Sequence, residues 1–387
     1  MRITNDMSQR MTVQYLLDDS HAMYDLQDQI SSGKKVRRPS DDPQVFGQIA
    51  RLGADEARLA QYQSNTQVVS QQTTTYDGIL QQIADQLQRV SELTVKGADG
   101  SLTPADRQTM GREVDLMLED VVNLANTHPG GSYLFGGLRT DTPAYTVTRD
   151  AAGQITGVTY QGNAGVRQAE IATGMYVPAN LVGSDLSGES ALFQTASVDL
   201  FANLINLRDQ LQSGRNLAEP AVFTADAGTD VLTVGTAYAT GSAVTLESDG
   251  TLPAGLAAGQ TYYAIRVSDT EIRLANSPAA ARAGTCIDIT DAGTGSHGIV
   301  AQCAADNERT LNHVLTVLSS QGASAEHLSA HATLLQNLTA AAKGARDSVE
   351  AVDTAQAYTE LTAKQAAYEA SLRVTSLLAN DSLVKYL

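Results

Sequence analysis

The sequence predicts an α+β protein: an elongated helical bundle and a terminal coiled coil built from both chain ends, with two small outer β domains in the middle. Three observations predict it. Proline is absent from Gln44 to Thr103 and after Pro278, so both stretches can run as continuous helix. Large side chains recur in them at alternating steps of four and three, the spacing of a coiled-coil seam. Between them, short alternating apolar and polar runs are broken by Gly, Asn and Asp, as in strands and turns.

The first helix carries an apolar stripe of Val13, Leu16, Met23 and Ile30, with Leu17, Tyr24 and Leu26 beside it. The stretch "ISSGKKVRRPSDDPQVF" then packs Lys34, Lys35, Arg37 and Arg38 against Asp41 and Asp42. Gly33 can end the first helix, Pro39 and Pro43 bar its continuation, and Asp42 can cap a second helix with Pro43 at its first position. That second helix places Val45, Ile49, Leu52, Glu56 and Leu59 on one seam. One three-residue step to Tyr62 shifts the phase, which predicts local overwinding, and the seam resumes through Thr66, Val69, Thr73, Tyr76, Leu80, Ile83, Leu87, Val90 and Thr94.

A third helix opens with Thr103 as N-cap, Pro104 first and Asp106 in the first turn. It continues through Met110, Val114, Met117, Val121 and Leu124, folding back across "GADGSL". Strand texture follows in "AYTVTRDAAGQITGVTYQGN" and "GMYVPANLVGSD", then a helix with Leu200, Leu204, Leu207 and Leu211 at seam spacing. A second β segment holds "VLTVG", "AVTLES", "TYYAIRV" and "EIRLA". The last helical block runs Leu311, Val314, Leu318, Gln321, Ala325, Leu328, Ala332, Leu335, Thr339, Ala342, Arg346 and Val349. The chain closes on a stripe of Tyr358, Leu361, Tyr368, Leu372, Leu377, Leu378, Leu383 and Leu387.

The expected domains are a terminal coiled coil from 1–40 and 352–387, a bundle from 41–130, 195–219 and 305–351, an outer β domain over 131–194, and an inserted β domain over 221–303. The composition shift at Ala221 to Cys303 marks that insert as an autonomous module, dispensable for assembly because loop length costs a host little; the alternative is that its strands complete the sheet of the first β domain as one folding unit.

Composition narrows the function. A net charge of -17 over 387 residues repels phosphate backbones and anionic headgroups, so neither nucleic-acid binding nor membrane insertion is expected. The opening "MRITNDMSQRMTVQYLL" has no apolar run of signal-peptide length, and no segment approaches the roughly 18 apolar residues of a membrane span. Cys286 and Cys303, the two cysteines, give no zinc spacing; lying in one late segment they could pair, and two free small residues is the favoured reading of the two. "GTGSHG", Gly293 to Gly298, matches a dinucleotide fingerprint in letters but lacks the surrounding βαβ unit, so it reads as a glycine-rich hairpin. His327 and His331 stand one turn apart in "EHLSAH", yet Leu328 occupies the position where a metalloprotease needs Glu. No catalytic, cofactor or metal site is expected, and no enzyme.

What remains are the two ends. One stripe of about seven large side chains buries little against the cost of ordering some forty residues, so each end needs the other and neighbouring copies of the chain. The expected assembly residues are therefore the stripes together with the charged stretch between the first two helices.

This arrangement resembles the flagellin superfamily, whose chains bring both terminal helices together while the middle forms outer domains. "SSGKKVRRPSDDPQV" is similar to the segment that family carries after its first helix, and "PSDDP" with Pro43 has the form of its hook-filament junction members, where filament subunits usually have "DDAAG". "GGSYLFGGLRTDTPAY" and "SLLANDSLVKYL" are also similar to junction-type segments. The resemblance covers the chain except Ala221 to Cys303, whose "GTLPAGLAAGQTYYAIRVSDTEIRLA" is similar to small β modules of phage tail and surface proteins. It implies a secreted structural adaptor at the hook-filament junction of the bacterial flagellum. It further implies export in unfolded form with a chaperone on the carboxyl-terminal helix, a ring of copies, the first hook-associated protein below and flagellin above. The alternatives are a filament subunit and an adhesin or phage-fibre-like surface protein.

Overall fold

The computed structural model describes residues 5–384; Leu387 lies outside them, as do the side chains of Leu377, Leu378 and Leu383. The elements in order are helices α1 (Asn5–Ser32), α2 (Pro43–Gly97) and α3 (Pro104–Ala125); hairpin strands β1 (Tyr145–Arg149) and β2 (Ile155–Tyr160), β3 (Gln168–Ala172) and β4 (Met175–Pro178); helix α4 (Leu200–Gln212); strands β5 (Ala221–Asp226), β6 (Val231–Val234), β7 (Ala243–Ser248), β8 (Thr261–Arg266) and β9 (Glu271–Ala275); the short α5 (Pro278–Arg282); strand β10 (His297–Ala301); and helices α6 (Cys303–Glu350) and α7 (Thr354–Val384). They fall into two compact units, residues 65–331 and the two ends of the chain outside them, with α2 and α6 contributing to both.

In the unit of residues 65–331 the seams are buried as their spacing requires. Thr66, Val69, Thr73, Tyr76, Leu80, Ile83, Leu87, Val90 and Thr94 are all shielded from solvent. The buried threonines solve their own polarity: Thr73 and Thr94 hydroxyls donate to the carbonyls of Val69 and Val90, one turn back. Helix α3 starts on a full capping box, Thr103 accepting from the Asp106 N–H while the Asp106 side chain accepts from Thr103. It folds back on α2, held where Arg89 Nε reaches Glu113 at 2.7 Å and Arg107 Nε reaches the Gly97 carbonyl at 3.2 Å. On α6, Asn307 donates to the Leu87 carbonyl and Ser91, and Leu328 packs with Val69 and Ile171.

The β1–β2 and β3–β4 hairpins are separate two-stranded sheets. A lone hairpin buries too little to stand alone. Accordingly, Tyr145 and Ile155 share one core with α2, α3, α4 and α6, in which Phe135, Phe193, Phe201 and Tyr145 stack with ring centroids 4.9–5.4 Å apart. The later strands close on themselves as a six-stranded barrel in the order β10-β5-β6-β9-β8-β7, around Phe223, Leu232, Val244, Leu246, Tyr262, Ile272, Leu274 and Ile299. "GTGSHG" leads into β10: Gly293 has φ +70° and a Cβ there would sit 2.4 Å from the Thr251 carbonyl, so the glycine closes the barrel's end.

Candidate assembly site

At the chain ends, α1 stops at Gly33, whose φ of +69° is the left-handed conformation of a helix C′ residue, with its N–H donating 2.8 Å to the Gln29 carbonyl. The chain then runs extended beside the α6–α7 junction. Lys34 and Ala351 form an antiparallel bridge, the Lys35 N–H donates to the Glu350 carbonyl at 2.7 Å, and the Val352 N–H donates to the Gly33 carbonyl at 3.1 Å. Both strands of the chain therefore leave helix at one level and are stitched to each other there.

The charges of this stretch have separate tasks. Asp41 accepts from the backbone N–H groups of Arg38 and Arg37 at 2.9 and 3.0 Å, and those bonds hold its carboxyl below the usual range. Asp42 accepts from Gln44 and Val45 N–H, both at 3.0 Å, capping α2 behind Pro43. Asp353 caps α7 in the same way through Ala355 and Gln356. Lys34 pairs with Glu350, and Arg37 lies 2.7 Å from Asp28. Arg346 joins Glu56 at 2.6 Å and reaches Glu350 at 3.5 Å, tying α2 and α6 together. Lys35 and Arg38 are exposed and form no ion pair among the described residues.

Helices α1 and α7 pack on each other, with Lys364 2.9 Å from Asp19. The stripe residues divide between two roles. Leu16, Met23, Ile30, Leu361 and Tyr368 are half-buried, whereas Val13, Leu17 and Leu372 stay 50%, 51% and 45% exposed. Val13, Leu17 and Tyr24 form one exposed line along α1; Met7, Met11 and Tyr15, at successive four-residue steps, form another. Sequence reasoning missed that second line because a single seam per helix was sought; a count of large apolar residues around the whole helical wheel finds it. On α7, Tyr358 and Val374 are likewise exposed.

Elsewhere, the His327 and His331 rings lie 6.3 Å apart, and no group of three or more His, Cys, Asp or Glu suited to a metal occurs among the described residues. Burial pushes the His331 imidazole below its ordinary range. No helix among the described residues is long and apolar enough to cross a membrane. Cys286 and Cys303 are both free thiols.

The profile of the bacterial flagellin N-terminal helical region matches residues 3–140, which span α1 to α3. The amino-terminal region is flagellin-like. Among curated relatives, flagellar hook-associated protein 3 of Escherichia coli is 27% identical over 147 residues, covering 38% of this chain and 46% of that protein. A flagellin of Listeria monocytogenes is 23% identical over 127 residues, covering 33% and 44%. The chain thus spans about half the length of the curated relatives it matches. Among solved structures, a candidate flagellar hook-associated protein from Vibrio parahaemolyticus aligns over 80% of this chain and 100% of its own, with a TM-score of 0.50 at 15% identity, a likeness of fold. The flagellin-like reading of the opening helices and of "SSGKKVRRPSDDPQV" is supported by the same residue range.

Proposed function

We propose that this chain is a structural adaptor of the bacterial flagellum, located at the hook-filament junction, where its terminal helices self-assemble to join hook and flagellin filament. The observation that carries the reading is the pair α1 and α7: α1 lies in the flagellin-like region, and the pair leaves Val13, Leu17, Tyr24, Tyr358 and Leu372 exposed after its two helices have met. Large apolar side chains in lines on a narrow helical pair are a docking surface for further helices. A second copy of the chain supplies such helices, and a closed ring of copies is one way to cover every line.

The assembly surface comprises the exposed and half-buried stripe residues Val13, Leu16, Leu17, Met23, Ile30, Leu361, Tyr368 and Leu372, continued by Leu377, Leu378, Leu383 and Leu387, with the stretch Lys34, Lys35, Arg37, Arg38, Asp41 and Asp42. Within that stretch, Lys35 and Arg38 are the cations that meet carboxylates of a neighbouring copy. The partners are the first hook-associated protein below, flagellin above, copies of the chain beside it, and before export a chaperone covering α7. The relatives are named flagellar hook-associated protein 3 and flagellin, and the proposed role requires no catalysis. The test is deletion of the gene: hooks should remain bare and shed flagellin into the medium, while normal filaments would refute the adaptor role. A second reading, a filament subunit, rests on the flagellins among the relatives. It predicts that the purified protein polymerises alone into long filaments.

A further inference from the structure

The barrel is entered and left by neighbouring strands, Ala221 on β5 pairing with Ile299 on β10. Two adjacent chain crossings make a neck on which an inserted module can swivel. The seam between barrel and bundle argues against swivelling. Arg208 on α4, its side chain 2% exposed, donates to Asp115 on α3 at 3.0 Å and to its neighbour Asp209 at 2.7 Å. Asp209, 10% exposed, accepts in turn from Arg266 on β8 at 3.3 Å, and Arg266 holds Asp269 at 2.7 Å. Five alternating charges therefore run from α3 through α4 into the barrel wall.

Three further anchors lie away from that line. Gln210 donates to the Thr236 hydroxyl at 3.2 Å and the Ala237 carbonyl at 2.8 Å. The Asp306 carboxylate, in the first turn of α6, accepts from the Ala243 N–H at the start of β7 at 3.1 Å. Arg282 donates to the Thr195 carbonyl at 2.9 Å. Anchors spread over the β6–β7 connection, the start of β7 and α5 remove rotation about a two-chain neck.

Buried charges are tolerated only while every partner is in place, because removing one leaves another uncompensated in a low-dielectric setting. Burial pushes the Asp209 carboxyl upward, and the guanidiniums of Arg208 and Arg266 pull it back only in part. Partial opening of such a seam is thus costly, and its states reduce to closed and fully parted. We infer that the charge ladder Asp115–Arg208–Asp209–Arg266–Asp269 locks barrel and bundle into one rigid body, making the insert a fixed extension of the bundle with a set orientation.

The inference is tested on the full chain by pulsed dipolar electron resonance. Spin labels are placed through Val222→Cys on the barrel and Leu116→Cys on α3, both highly exposed positions, in a Cys286→Ser, Cys303→Ala background. The parent should give one narrow distance distribution. Arg266→Ala should broaden it several-fold, and Arg266→Lys should keep it close to the parent. A broad distribution in the parent overturns the lock outright, a reading that needs no further variant to fold. Distributions as narrow as the parent's in both Arg266→Ala and Asp209→Ala overturn the ladder as its cause.

Discussion

Arg346 on α6 lies 2.6 Å from Glu56 on α2, across 290 residues of sequence. Both occupy seam positions that an ordinary coiled coil would give to apolar residues, and both are partly buried, at 30% and 16% exposure. Removing one partner strands the other: Arg346→Leu should cost about 1–3 kcal/mol in chemical denaturation. Replacing both, Glu56→Leu with Arg346→Leu, should recover most of that loss, since two leucines suit a seam. A double variant no more stable than the single one would show that the pair contributes no such coupling.

The end of α1 depends on one backbone angle. No atom lies within 4 Å of a Cβ built on Gly33, so its φ of +69° alone sets the cost of substitution. Gly33→Ala should destabilise by about 1 kcal/mol, and Gly33→Asn by less, because asparagine tolerates the left-handed region. Equal losses from the two, measured by thermal unfolding, would count against this account of the helix end.

The two thiols should separate in reactivity. Burial pushes the Cys303 thiol far above its ordinary range, with Asp306 nearby adding to the shift, while Cys286 is half-buried at the barrel surface. Since the thiolate is the nucleophile, one equivalent of an aromatic disulfide reagent should react with the native protein and two with the unfolded chain. Two fast equivalents in the native state would place Cys303 at the surface.

Alkali should attack the barrel in a defined window. Tyr238, 1% exposed, has its phenol pushed by burial from the ordinary 10.0 to about 12. The folded pKa lies above the unfolded one, so this contribution is intact below pH 10 and is lost as pH rises through 12, amounting to about 3 kcal/mol. Burial also raises the Tyr145 phenol well above its ordinary range. A near-ultraviolet titration of the 14 tyrosines should show a late group that ionises together with unfolding. A single ordinary titration curve would contradict the burial of these rings.

Much of the helical skeleton was legible because periodicity is local. Every seam residue from Leu311 to Val349 is at least half-buried, and the Thr103–Asp106 cap was written in four consecutive residues. The strands "AVTLES" and "EIRLA" were legible for the same reason, but the closed order of the barrel was not, because β10 pairs with β5 and β7 through contacts distant in sequence. Arg208 shows the other limit. It lies on the Leu204–Leu211 helix, where a charged residue reads as solvent-facing, yet its partner Asp115 is 93 residues earlier and its side chain is sealed in. At the ends, the stretch from Gly33 to Asp42 was legible as a break with caps. Its stitching to Glu350 and Val352 was not, since nothing in either segment names the other.

The most direct test of the central claim, that this chain is a junction adaptor built on terminal helices, is immunoelectron microscopy of intact flagella with antibody raised against residues 221–301. The account predicts label at one point on each flagellum, between hook and filament. Label distributed along the filament would contradict it and establish a filament subunit instead.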